Sequence, residues 1–221
     1  MTDSTSPATL PSQILDRIAA KPAKVWTPRD FADTGSRDAV DKALQRLVKS
    51  GELRRIERGL YGKPRLNKLT GKPSAPDYRA VIEAVARRER VRFVVDGMTA
   101  ANTLGLTNAV PAKIEVLVDA RLKPIKMGNQ KIVFKHAAPR RLYWAGRPGM
   151  YLVQALHWIH DTMQAETERS KVDQIIRKLL NDHDKGQKLA DDLRIGLSAM
   201  PIWMQDILRG PIMSVGTANN T

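Results

Sequence analysis

The sequence predicts a mixed α+β chain: an N-terminal helical unit closed by a small hairpin, then an interleaved α/β region that turns helical towards the end. Three observations carry that expectation. Apolar stripes at helical spacing precede residue 50, an alternating stretch with a glycine turn follows, and beyond residue 78 helix-like and strand-like patterns mix. With 221 residues and 42% hydrophobic side chains, the chain can bury a sizeable core.

The elements justify themselves in order. In "LPSQILDRIAAKP", Ile14, Leu15 and Ile18 share one helical face, and Pro22 ends the segment. "TPRDFADTGS" offers Thr27 as N-cap, Pro28 at the first helical position and Asp30 three residues after the cap, which predicts a short second helix closed at Gly35. Ser36 can cap a third helix, "RDAVDKALQRLVKSG", in which Val40, Leu44, Leu47 and Val48 form one stripe and Gly51 supplies the terminating residue. "SGELRRIERGLYGKP" then alternates, turns at Glu57-Arg58-Gly59 and returns through Leu60 and Tyr61. Helix, helix, tight turn, helix and hairpin is the order of a winged helix-turn-helix.

Composition divides the rest. Residues 1–9 predict a disordered start, 10–66 the winged helix-turn-helix, and 67–77, rich in Pro, Gly and Lys, a linker. Residues 78–221 then form a mixed α/β domain whose last third, after Pro148, is helical. No cysteine is present, so disulfide and thiolate chemistry are excluded and a reducing cytoplasm is expected. No basic-then-apolar leader and no run of eighteen apolar residues is seen, so neither secretion nor a membrane partner is expected.

The formal net charge is +14, a bias toward anionic partners. It is unevenly spread. Residues 1–72 hold 15 Lys and Arg against 8 Asp and Glu, residues 73–149 hold 14 against 6, and residues 150–221 hold 8 against 9. The basic front of the chain is therefore where nucleic acid is expected, and the near-neutral back is the region left for a protein partner or a second copy.

On the third helix, the side opposite the apolar stripe carries Asp38, Lys42, Gln45, Arg46 and Lys49, residue types suited to a major groove. Ser36 and Arg37 stand at its start, where free N–H groups and the helix dipole favour phosphate. Arg54, Arg55, Arg58, Lys63 and Arg65 of the hairpin are candidates for backbone or minor-groove contact, with Thr27 and Arg29 positioning the second helix. Tyr61 can add a hydroxyl to that surface or fill the core beneath it. The competing explanation is ordinary. Asp38 and Lys42 can pair along an exposed helix, and cations on a strand edge also block aggregation.

Catalytic patterns are weak. A nucleotidyltransferase wants two carboxylates one residue apart on a strand to hold magnesium, whereas Glu115 and Asp119 are four apart. "HWIH" sets His157 and His160 three apart, but no third ligand accompanies them and the surrounding Trp158 and Ile159 suit a core helix better. No phosphate loop, nucleophile elbow or HExxH occurs. The chain is expected not to be an enzyme and to need neither metal nor cofactor.

Two stretches together resemble a known family. "SGELRRIERGLYGKP" after a recognition-type helix, and "VVDGMTAANTLGLTNAVPAKIEVLVDA" further on, are similar to the AbiEi-like antitoxins of bacterial type IV toxin–antitoxin systems involved in abortive infection. The resemblance spans most of residues 10–120. It implies a cytoplasmic autorepressor that binds inverted repeats in its own promoter, as monomer or homodimer, and that counteracts a nucleotidyltransferase-type toxin. The alternative read from the charge alone is an RNA-binding or protein-interaction adaptor, with Arg87, Arg88, Arg90, Arg140 and Arg141 extending its surface.

Overall fold

The computed structural model describes residues 9–66, 71, 74–109, 111–162 and 166–215. It is a mixed α+β structure of eight α-helices and two small sheets among those residues. No described helix is long and apolar enough to cross a membrane. The chain forms two compact units, one of residues up to Val91 together with Ile125–Ile132, the other of Arg92–Pro124 and Val133 onward.

The first unit begins with α1 (Leu10–Ala20), capped by Thr9, whose hydroxyl accepts from the Ser12 amide, and burying Ile14 and Ile18. A single 3-10 turn, Pro28–Phe31, follows. The second helix expected from "TPRDFADTGS" is thus one turn long. Its cap is as read: the Asp30 carboxylate accepts from the Thr27 amide at 2.7 Å. The turn goes no further because Phe31, fully buried, stacks on Trp26 with ring centroids 5.3 Å apart, and Thr34 folds back onto the Phe31 carbonyl.

α2 (Arg37–Lys49) starts at Ser36, whose hydroxyl accepts from the Ala39 amide, and buries Val40, Ala43, Leu44 and Leu47. Strands β1 (Arg54–Glu57) and β2 (Leu60–Gly62) pair antiparallel, with a bulge between Arg55 and Glu57. Their turn needs a left-handed residue, and Gly59 supplies it at φ +73°. Trp26 joins the hairpin through two 2.8 Å backbone bonds with Tyr61, which draws both rings into the core beside Ile14, Phe31, Leu44 and Leu53.

α3 (Tyr78–Glu89), capped by Asp77, closes the first unit. Sequence reading assigned it to the second domain. Two arginines explain why it packs on the first: the Arg87 guanidinium donates to the Val25 carbonyl at 2.8 Å, and that of Arg88 donates to the Arg58 carbonyl at 2.8 Å. The first compact unit thus runs to Val91, past the linker expected at 67–77. Of that expected linker, residues 67–70 and 72–73 lie outside the described residues, as does all of the expected disordered start except Thr9.

In the second unit β3 (Phe93–Val95) pairs antiparallel with β4 (Lys113–Val118), Phe93 opposite Val118. Between them runs α4 (Gly97–Thr103), tied to both strands by Asp96, which caps the helix through Thr99 and also accepts from the Glu115 amide at 2.9 Å. Gly97 is required by packing. A Cβ there would lie 2.7 Å from the Gln154 carbonyl oxygen and 2.5 Å from the Trp158 Cβ, both on α5 (Met150–Ile159). Strand β5 (Ile125–Met127), which belongs to the first unit, and β6 (Gln130–His136), whose start does too, form a hairpin, and the second sheet runs in the order β3-β4-β6-β5. Helices α6 (Glu166–Leu180), α7 (Gly186–Gly196) and α8 (Ile202–Ser214) complete the helical part, burying Val172, Ile176, Leu193, Met204 and Leu208.

Candidate nucleic-acid interface

The site is built on α2. Its stripe of Val40, Ala43, Leu44 and Leu47 faces the core, so geometry turns the remaining side outward, and Asp38, Lys42, Gln45, Arg46 and Lys49 are all exposed. None of these five makes a side-chain hydrogen bond or ion pair among the described residues. At the helix start, Ser36 is exposed but its hydroxyl is engaged as the cap. Arg37 is exposed and pairs with Asp41 one turn on at 2.8 Å. That exposed pair contributes a few tenths of a kcal/mol and does not hold Arg37 against a stronger anion.

The hairpin supplies a second row. Arg55, Arg58, Lys63 and Arg65 are exposed, and their side chains meet no acid among the described residues. Arg54 is different: half-buried, it donates to the Ser74 carbonyl at 2.6 Å and so ties the hairpin to the segment before α3. Arg29 stands exposed on the 3-10 turn.

Two expected contacts are not on this surface. Thr27 is 2% exposed and its hydroxyl donates to Asp30, while Tyr61 is 6% exposed and lies in the core. Both are held there through their backbones: the Thr27 amide donates to the Asp30 carboxylate, and Tyr61 is the bridge partner of Trp26.

Sequence reasoning found Asp30 as a local cap and missed that it gathers distant cations in this unit. Asp30 gathers the Thr27 amide and hydroxyl and the Lys24 ammonium, with Arg87 at 3.7 Å. Burial alone would raise its pKa, but hydrogen bonds from Thr27 and Lys24 outweigh burial and hold it below the ordinary value. Nearby, Asp33 is lowered to about 2 by its hydrogen bonds from Arg17, the pair meeting at 2.7 Å. The capping pattern at Thr27 announced Asp30 as a cap; its long-range partner Arg87 left no mark in the sequence.

The carboxylates weighed for magnesium are occupied otherwise. Glu115 lies between Lys113 at 2.6 Å and Lys135 at 2.5 Å, and Asp119 accepts from the Arg92 amide and guanidinium. Hydrogen bonds from the lysines lower the Glu115 pKa. His157 and His160 both pack against Trp203 of α8, at 6.0 and 4.1 Å between ring centroids.

A family model described as DUF6088, a family of unknown function, matches residues 13–184. The chain belongs to the DUF6088 family. The matched span includes α2, the hairpin and most of the second unit, so the surface described above belongs to the part that defines this DUF6088 protein as a member. No curated protein matches it.

Proposed function

We propose that this DUF6088 protein is a sequence-specific DNA-binding transcriptional repressor, with residues 10–66 acting as a winged helix-turn-helix. α2 enters the major groove, where Lys42, Gln45 and Arg46 meet base edges, and the hairpin is the wing, Arg55, Arg58, Lys63 and Arg65 lying along phosphates. The observation that carries this reading is the state of those side chains. On α2 and the hairpin the exposed cations other than Arg37 have no internal side-chain partner among the described residues, and Gln45, a side chain able to bond adenine bidentately, stands among them. The resemblance to AbiEi-like antitoxins supports an operator of inverted repeats and a nucleotidyltransferase-type toxin as protein partner.

A second reading is favoured by one observation. From Ala120 to His160 the sequence has eight Lys and Arg and no Asp or Glu, and within the second unit Arg121, Lys123, Arg140 and Arg141 are exposed with no acidic partner among the described residues. Such a surface suits an RNA-binding adaptor that grips phosphate without reading sequence. Gel shifts of the full chain decide between them, using the duplex upstream of its own gene, a random duplex and a hairpin RNA. Repression predicts a preference for the promoter of about tenfold or more. Equal binding to all three ends that reading.

A further inference from the structure

The second unit contains a cavity of about 410 Å³ where the end of α4, the start of α5, the end of α6 and the start of α7 converge. Its walls are mostly apolar: buried Leu152 and Leu189 and half-buried Leu104 and Leu179, with Pro148 and Tyr151. The volume falls in the range of small-molecule sites, which are mostly apolar with a few placed polar groups. Here the polar side chains of the lining are few, and two of them are committed within the protein. The Thr103 hydroxyl donates to the Thr99 carbonyl, and one oxygen of Asp182 accepts from the Asp184 and Lys185 amides. Lys185 and Lys188, by contrast, are exposed residues of its lining, and their side chains have no hydrogen bond or ion pair among the described residues.

We propose that this cavity binds a small apolar anion, an aliphatic carboxylate whose chain lies on the leucines and whose head group meets Lys185 and Lys188. The charge pattern selects the occupant. An apolar body is required by the walls, and a head group able to satisfy two ammonium groups must be anionic and accept several hydrogen bonds. A neutral alcohol of the same length satisfies the walls and offers the lysines only one weak acceptor, and an amine repels them. The inference is independent of DNA binding and rests on the second unit alone.

Calorimetric titration of the full chain with octanoate, octanol and octylamine tests it. Octanoate is expected to bind saturably and at least about tenfold more tightly than the other two, since a charge-assisted head-group contact is the difference between them. Affinity should rise about fourfold per methylene from hexanoate to octanoate, as each buried methylene adds its transfer free energy. Lys185→Glu with Lys188→Glu, both at exposed positions, should remove the preference for octanoate over octanol, and Leu104→Trp, which fills the cavity, should abolish binding of both. Circular dichroism confirms that each variant folds, and Leu179→Trp replaces Leu104→Trp if the latter does not. No saturable octanoate binding, equal affinity for octanol, or a preference for octanoate that survives the charge reversal overturns the proposal.

Discussion

The outer side of α2 and the helical end of the chain use charge in opposite ways. Around α5 to α8, several cations are spent on the protein itself, Lys185 and Lys188 excepted. Arg147 pairs with Asp192 at 2.8 Å while also lying 4.4 and 4.6 Å from the Tyr143 and Trp144 ring centres. Arg194 bonds Asp191 and the Ile212 carbonyl, and Lys171 pairs with Glu168. On α2, Lys42, Arg46 and Lys49 make no side-chain hydrogen bond or ion pair among the described residues. A charge with internal partners is part of the structure, and removing it costs stability. A charge without any is available to a ligand, and removing it should cost only binding.

The largest effect that can break this contrast is at Arg147. Asp192 is 13% exposed and also accepts from the Gly149 amide at 2.9 Å. Asp192→Ala removes the counter-charge from a mostly buried guanidinium, which keeps its bond to the carbonyl of residue 192, and strips the Gly149 amide of its acceptor, so unfolding by urea should show a loss of about 3–5 kcal/mol. A loss below about 1 kcal/mol would place the pair among ordinary surface bridges.

A smaller effect is expected at Asp30, and it depends on pH. The folded pKa of this carboxylate lies below its ordinary value. Its contribution is therefore complete above about pH 4, the unfolded value, and declines as pH falls through the folded value. Asp30→Asn should be less stable than the parent at neutral pH, and the difference should shrink in acid as the parent loses what the variant never had. Asp33, held to about 2 through Arg17, adds to the same trend. Denaturation curves measured between neutral pH and pH 2 check the sign; a difference that grows toward acid would refute it.

The wing cations should leave stability almost untouched. Replacing Arg55 and Arg58 together by Ala is expected to change it by no more than about 0.5 kcal/mol per site. Their loss should show in binding. The plot of log affinity against log salt should become shallower by about 0.9 for each phosphate contact removed, equally for promoter and random duplex. An unchanged slope would mean that the hairpin does not touch the backbone.

Much of the first unit was legible because its signals are local. The caps at Thr27 and Ser36, the stripe from Val40 to Leu47 and the glycine turn at Gly59 each depend on residues within one or two turns of each other. What escaped reading depends on distant partners. Nothing in the pattern of residues 78–91 announces that Arg87 will bond Val25, 62 positions earlier, or that α3 thereby joins the first unit. Arg54 looked equivalent to Arg55 until Ser74 came within reach of one and not the other. The cavity over Leu152 and Leu189 was equally invisible, since it is made by four helix ends that no spacing rule brings together.

The side of α2 that faces outward was legible from periodicity alone, and what it does is the centre of the account. Fluorescence anisotropy of the Lys42→Ala, Gln45→Ala double variant on the promoter duplex and on a random duplex tests it most directly. The account predicts that thermal stability stays within about 0.5 kcal/mol of the parent and that the preference for the promoter falls by about tenfold or more, each lost base contact contributing about 1–3 kcal/mol. A double variant that folds as before and still prefers the promoter as strongly as the parent would contradict it.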